Sequence, residues 1–246
     1  MTSTNSRSRI RSGAWAVWLA AAALGLAACQ QVPHERHEGA DPDARLAHAL
    51  ERYDMAQSYG RENGTLMSDQ RVIVDSGGAR LAIEQLSLEY PAHVPTLVMC
   101  ADLAFRAGER EKATAYADRA LALQPSNNFA AIIRARTAIL DGSLARAREV
   151  LESQVRLTPQ SPYIHEMLAS VHFLGGDLAS SERELAEAER LGGDAPRITY
   201  NRGLLAERRG DKAGARSQYK RALELQPAYP EAEARLAGLA DRPQSK

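Results

Sequence analysis

The side chains that could carry chemistry in this chain are few, and their spacing argues against most of what they could do. His34 and His37 stand in the run His34-Glu35-Arg36-His37-Glu38, which has the composition of a zinc site. A zinc-protease helix needs two histidines four residues apart on one face with the glutamate between them, and here glutamate fills position 38. Pro33 and Pro42 flank the run and no helical pattern passes through it, so no metal site is expected. His165 and His172 fall at helix positions that face packing partners, where an imidazole satisfied by its neighbours is expected rather than a catalytic group. The chain has no Gly-x-Ser-x-Gly, no glycine-rich phosphate loop, and no Ser, His and acid set that a local geometry would gather. No catalytic residue, cofactor or small-molecule substrate is expected; an enzyme assembled from residues distant in sequence is the remote alternative.

Two cysteines, Cys29 and Cys100, are too few and too differently placed for a disulfide framework or a thiolate metal site. Cys100 lies in an alanine-rich helical pattern, where a free thiol behaves as a small apolar core residue. Cys29 ends a different kind of segment. Residues 1–13 carry Arg7, Arg9 and Arg11 and no acid, and an apolar stretch from Ala14 to Ala28 follows, matching the charged and apolar regions of a secretory signal. The stretch is short for a membrane span, which needs about 20 apolar residues. Its end, Leu26-Ala27-Ala28-Cys29, resembles the bacterial lipobox.

That resemblance implies cleavage of residues 1–28 and attachment of acyl chains to Cys29, giving a protein anchored to a bilayer rather than spanning it. A plain signal peptide ending before a cysteine, or an uncleaved anchor, is the alternative. In the sorting rule that goes with the lipobox, a residue other than aspartate after the cysteine implies release outward. Gln30 therefore implies the outer membrane, facing the periplasm. Residues 29–43, with prolines, charges and little to bury, are expected to form a flexible tether.

The elements behind these residues follow from composition and period. Of 246 residues 44% are hydrophobic and 25% charged, aromatics are only 5%, and alanine and leucine are abundant. Good helix formers with few β-branched residues predict an all-α fold with almost no strand. Basic and acidic residues balance at 31 each, so no electrostatic footprint for nucleic acid is present in the totals. A 34-residue period runs through units 94–127, 128–161, 162–195 and 196–229 without an insertion.

Each unit carries a small residue at its eighth position, Ala101, Ala135, Ala169 and Gly203, where two helices must approach. The twentieth position gives Ala113, Ala147, Ser181 and Ala215, and the twenty-seventh Ala120, Gln154, Ala188 and Ala222, of which only Gln154 departs seriously. Gly108, Gly142, Gly176 and Gly210 mark a turn inside each unit, with aspartates at 177 and 211 suited to cap the next helix. Pro125, Pro159 and Pro227 stop the second helix, with Gly193 in the third unit's place.

This spacing and pattern resemble the tetratricopeptide repeat, a helix-turn-helix of 34 residues, over at least Val94 to Tyr229. The family's aromatic at position four is replaced by Leu97, Ala131, His165 and Thr199. The resemblance implies a right-handed superhelical solenoid of antiparallel helix pairs. Residues 44–93 read as a degenerate N-terminal unit. Its first helix carries the stripe Leu46, Leu50, Tyr53 and Ala56, and a long irregular connection through Asn63 leads to Ser76. Residues 230–246 read as a capping helix and a tail that frays from Asp241.

In this family positions two, five, nine, twelve and thirteen of the first helices line the concave face. They give the apolar candidates Phe105, Phe129, Ile132, Ile139, Leu140, Tyr163, Phe173, Tyr200 and Leu204, with all three phenylalanines of the chain among them. The same positions supply the charges Asp102, Arg106, Arg136, Glu166, Arg197, Glu207 and Arg208. An apolar groove rimmed by charge suits an amphipathic helix or an extended peptide of a protein partner. Packing between neighbouring repeats is the competing use of any one of these side chains. The lysine and asparagine clamp that holds a terminal carboxylate in chaperone-binding relatives is absent, because positions five and nine carry neither lysine nor asparagine.

Lipobox, tether and repeats in this order resemble the pilotin-type and TadD-type lipoproteins of bacterial pilus systems. The resemblance implies a non-enzymatic scaffold that assists assembly of an envelope complex such as a pilus secretin. Scaffolds for cell-wall hydrolases and factors for outer-membrane barrel assembly share the architecture and are the alternatives.

Overall fold

A computed structural model describes residues 41–63 and 76–239, all within the compact unit Asp41–Lys246. Cys29, the expected signal segment, the expected tether up to residue 40 and the tail from residue 240 lie outside the described residues, and the helix that begins at Pro42 ends the tether before residue 43. The described residues form eleven helices and no strand. They are α1 (Pro42–Asn63), α2 (Ser76–Glu89), α3 (Val94–Arg106), α4 (Arg110–Leu123), α5 (Asn128–Leu140) and α6 (Leu144–Leu157). After these come α7 (Pro162–Leu174), α8 (Leu178–Arg190), α9 (Ala195–Arg208), α10 (Lys212–Leu225) and α11 (Pro230–Gly238). None of them is long and apolar enough to cross a membrane.

The turn inside each repeat explains why one helix ends and the next begins. Gly108, Gly142, Gly176 and Gly210 take φ of 76°, 73°, 82° and 80°, a left-handed conformation that glycine adopts without a Cβ clash. The residue after each glycine then donates its amide back to the ending helix, as Glu109 to Ala104 O, Ser143 to Ala138 O, Asp177 to His172 O and Asp211 to Ala206 O. That same residue is the N-cap of the second helix. At Asp177 and Asp211 the carboxylate accepts from the amides of Ser180 at 3.0 Å and Gly214 at 2.8 Å, whereas Glu109 and Ser143 make no such bond. Asn127 and Asp194 cap α5 and α9 in the same way, accepting from Ala130 and Arg197 amides.

Helices pack in consecutive pairs, α1 with α2 through α9 with α10, and α11 lies on α10. First helices of neighbouring units also touch, α3 with α5, α5 with α7 and α7 with α9. This is the all-α solenoid of helix pairs, with the first helices along one face. The small residues sit where the helices meet: Ala101, Ala135, Ala169, Ala113, Ala147, Ala215, Ala120, Ala188 and Ala222 are all buried. At Gly203 the reason is specific, because a Cβ there would meet three atoms of the buried Tyr219 ring. The Tyr219 ring takes the space that the Cβ of the eighth-position alanine takes in the other units.

Gln154, the departure in the repeat pattern, is buried but not unsatisfied. Its amide donates to Asn128 Oδ1 at 2.9 Å, and the Thr158 hydroxyl donates to the same oxygen at 2.6 Å. A polar knot joining α5 to the end of α6 thus replaces an alanine contact. His165 is buried between Glu184, 2.7 Å from Nδ1, and the Pro159 carbonyl, 3.1 Å from Nε2, which makes it a satisfied packing residue.

The N-terminal pair differs from its expected outline. α1 continues as helix to Asn63, so residues 57–63 are not part of an irregular connection. No glycine stands at residues 56–59, the place in α1 that matches Gly108 after α3. Leu46 and Ala49 of α1 are buried with Ile83, Leu86, Cys100 and Leu103, and Leu50 and Tyr53 lie against them. Cys100 is in this core, its thiol pKa pushed up to about 11 by burial.

Candidate partner-binding groove

The exposed face of the first helices is built from the positions that the repeat leaves free after packing. α3, α5 and α1 converge on a groove of about 690 Å³ whose apolar lining includes Leu46, Leu50, Val98, Met99, Phe129 and Ile132. Asp102, Arg106, Arg136, Gln124 and Asn127 stand around it. Phe129 is 69% exposed, an unusual state for a phenylalanine in a folded core. Further along, α7 and α9 form a second, smaller hollow of about 220 Å³ lined by Ser170, Phe173, Leu174 and Leu204.

The sequence-derived candidates therefore divide. Phe129 and Ile132 line the large groove, Phe173 and Leu204 the small one. Leu140 and Tyr163 are exposed, at 55% and 56%, but line neither hollow. Ile139 leans on the core formed by α5, α6 and α7, and Phe105 on the alanine cluster of α3 and α4. Tyr200 is a packing residue: its ring lies 5.6 Å from Tyr219 and 5.2 Å from Tyr229, closing the end of the solenoid. Burial raises the phenol pKa of both neighbours, that of Tyr229 to about 12.

Seven residues lining the large groove were missed by the repeat positions: Leu46, Leu50, Val94, Met99, Gln124, Asn127 and Ile133. Leu46 and Leu50 come from α1, whose place in the stack the broken period hid, and Met99 is at position six. For Leu46 and Leu50 the signal was the apolar stripe at helical spacing from Leu46 to Tyr53, which would have found them had α1 been set beside α3.

The charges of this face are mostly paired within the protein. Arg106 holds Asp102 at 2.6 Å, and Arg235 of α11 holds Glu207 at 3.3 Å. Glu166 is buried and bonded by Arg197, whose guanidinium pKa is raised by that hydrogen bond. Arg197 also lies 5.3 Å over the Tyr163 ring. The other Glu166 oxygen has no partner and sits against Gly193, where a Cβ would stand 3.0 Å from it. The glycine that replaces the closing proline of this unit thus leaves room for a carboxylate. Arg136 stacks 4.3 Å over the Phe105 ring. Among the described residues no group of three or more His, Cys, Asp or Glu side chains could hold a metal ion.

Comparison with known proteins gives the family and the fold. A family model described as tetratricopeptide repeat matches residues 99–162 and 166–237, more than half of the chain. No curated protein matches at a significant level. Among solved structures, the tetratricopeptide-repeat protein TTC0263 of Thermus thermophilus is 20% identical. It aligns over 81% of this chain and 98% of its own, with a TM-score of 0.64. pilF of Pseudomonas aeruginosa is 16% identical over 80% of this chain and 82% of its own, with a TM-score of 0.58. MamA 41-end from Desulfovibrio magneticus is 16% identical over 73% of this chain and 96% of its own, with a TM-score of 0.52. At these identities the likeness is one of fold. With its stacked helix pairs, its glycine turns at 34-residue spacing and the family match over both halves of the repeat region, this chain belongs to the tetratricopeptide-repeat family.

Proposed function

We propose that this protein is a scaffold that takes up a segment of another protein in the groove between α1, α3 and α5. The observation that carries this reading is the apolar lining of that groove, above all Phe129 held open to solvent. Burying such a ring is worth about 1.5–3 kcal/mol. The fold leaves that gain unused, and a partner's apolar side chains recover it. Phe129→Asp puts a charge in the groove lining at an exposed position, so the helices are expected to survive while co-purification of a partner is lost. Unchanged co-purification with full helical content by circular dichroism removes the groove from the reading.

The scaffold works, in this proposal, as a lipoprotein on the periplasmic side of the outer membrane. Leu26-Ala27-Ala28-Cys29 and Gln30 support the address, and all of them lie outside the described residues. Metabolic labelling with a palmitate analogue is expected to mark the wild type and not Cys29→Ser; label persisting in the variant excludes Cys29 as the acceptor. Among envelope clients the order of lipobox, tether and repeats favours a subunit of a pilus secretin. The repeats themselves are equally suited to the other envelope assemblies named above.

A further inference from the structure

We infer that the segment taken up by the groove is acidic: large apolar side chains flanked by an aspartate or glutamate that pairs with Arg136. This rests on the groove reading of the proposed function and goes one step beyond it, from a protein partner to the chemistry of its docking segment.

The charges of the concave face, taken one by one, point this way. At the concave positions of α3, α5, α7 and α9 each acid holds an arginine of the protein: Asp102 holds Arg106, Glu166 holds Arg197, and Glu207 holds Arg235. Two arginines of the same face, Arg136 and Arg208, have no carboxylate within ion-pair distance among the described residues. Along these four helices no acid at a concave position is without an arginine, whereas two arginines are without an acid, and that excess of positive charge suits an acidic partner.

Arg136 is the better placed of the two, because it lines the apolar groove beside Phe129 and Ile132. Its guanidinium carbon lies 4.3 Å from the centre of the Phe105 ring, a cation–π contact that restrains the side chain. A stacked arginine has given up part of its rotamer freedom before binding, so less is lost when a carboxylate arrives. Arg106, at the other edge of the same groove, is engaged by Asp102 from one helical turn earlier. The recognised acid is a side chain inside an apolar segment rather than a chain terminus, consistent with the missing lysine and asparagine clamp.

A phage-displayed library of random linear peptides, selected against the purified protein without its signal segment, tests this. Peptides enriched on the wild type are expected to combine Leu, Ile, Phe or Met with Asp or Glu. Arg136→Gln is expected to weaken a selected peptide by about three- to tenfold in fluorescence anisotropy. Arg136→Glu is expected to turn the selected charge from acidic to basic. Enrichment of apolar peptides with no acidic bias, or a charge preference unmoved by Arg136→Glu, overturns the inference. In either of those cases loss of enrichment in Phe129→Asp shows that the groove reading still stands. Enrichment that survives Phe129→Asp places binding elsewhere and takes the groove reading down first. Arg136 is exposed, so a folding failure of its variants is not expected, and circular dichroism checks that it has not occurred.

Discussion

Tyr219 and Gly203 form a contact in which two opposite effects can be weighed. Glycine inside a helix costs about 1 kcal/mol relative to alanine, so Gly203→Ala would stabilise α9 if nothing else changed. The added Cβ, however, falls inside contact distance of three ring atoms of Tyr219, and that ring has no exposed surface to move into. Overpacking of this kind costs roughly 1–3 kcal/mol. The clash is expected to win, and Gly203→Ala should lower stability by about 1 kcal/mol in urea denaturation, with Tyr219→Leu in the same chain restoring it. The residue scale also shows where single positions misled. Tyr200 has the repeat position of a groove residue, but Tyr219 and Tyr229, nineteen and twenty-nine residues on, capture its ring. Nothing local in the sequence announces that capture. Gln154 was legible as a departure and not as a solution, because Asn128 and Thr158, which satisfy it, are marked by no motif.

Helix boundaries were the most legible feature, since the glycine turn and the capping acid are set by backbone chemistry within a few residues. Asp177 shows how that chemistry responds to pH. Its carboxylate accepts from the Ser180 hydroxyl at 2.5 Å and from the Ser180 amide at 3.0 Å, and these bonds hold its pKa below the ordinary aspartate value of about 3.9. A carboxylate whose pKa is lower in the folded than in the unfolded chain stabilises the fold at neutral pH, and the contribution is lost as pH falls through the folded value. Asp177→Asn keeps an acceptor oxygen and gives up the charge. The variant is expected to melt below the wild type at pH 7, with the gap closing below about pH 4. A gap that stays constant down to about pH 2.5 in thermal melts assigns the cap to geometry alone. α1 is the element that the sequence left out of place. The connection before Ser76 breaks the 34-residue period, so the helix could be recognised but not assigned to the groove that it completes.

On the scale of the whole molecule, one stretch of chemistry explains both the fold and its open face. Small residues at the eighth, twentieth and twenty-seventh positions let helix pairs stack closely, and stacking leaves the outward positions of the first helices exposed along one side. Where these positions are aromatic or branched, as at Phe129, Ile132 and Phe173, the result is a groove that the chain does not fill. In the proposed function this side, and not the second helices, meets the partner. Photocrosslinking in living cells tests that choice of face, with the reactive amino acid placed at Phe129. The comparison is the same substitution at Leu81 of α2, 54% exposed and outside the groove lining. A discrete adduct with a protein partner is expected from position 129 and none from position 81; an adduct from position 81 with none from position 129 would contradict the groove.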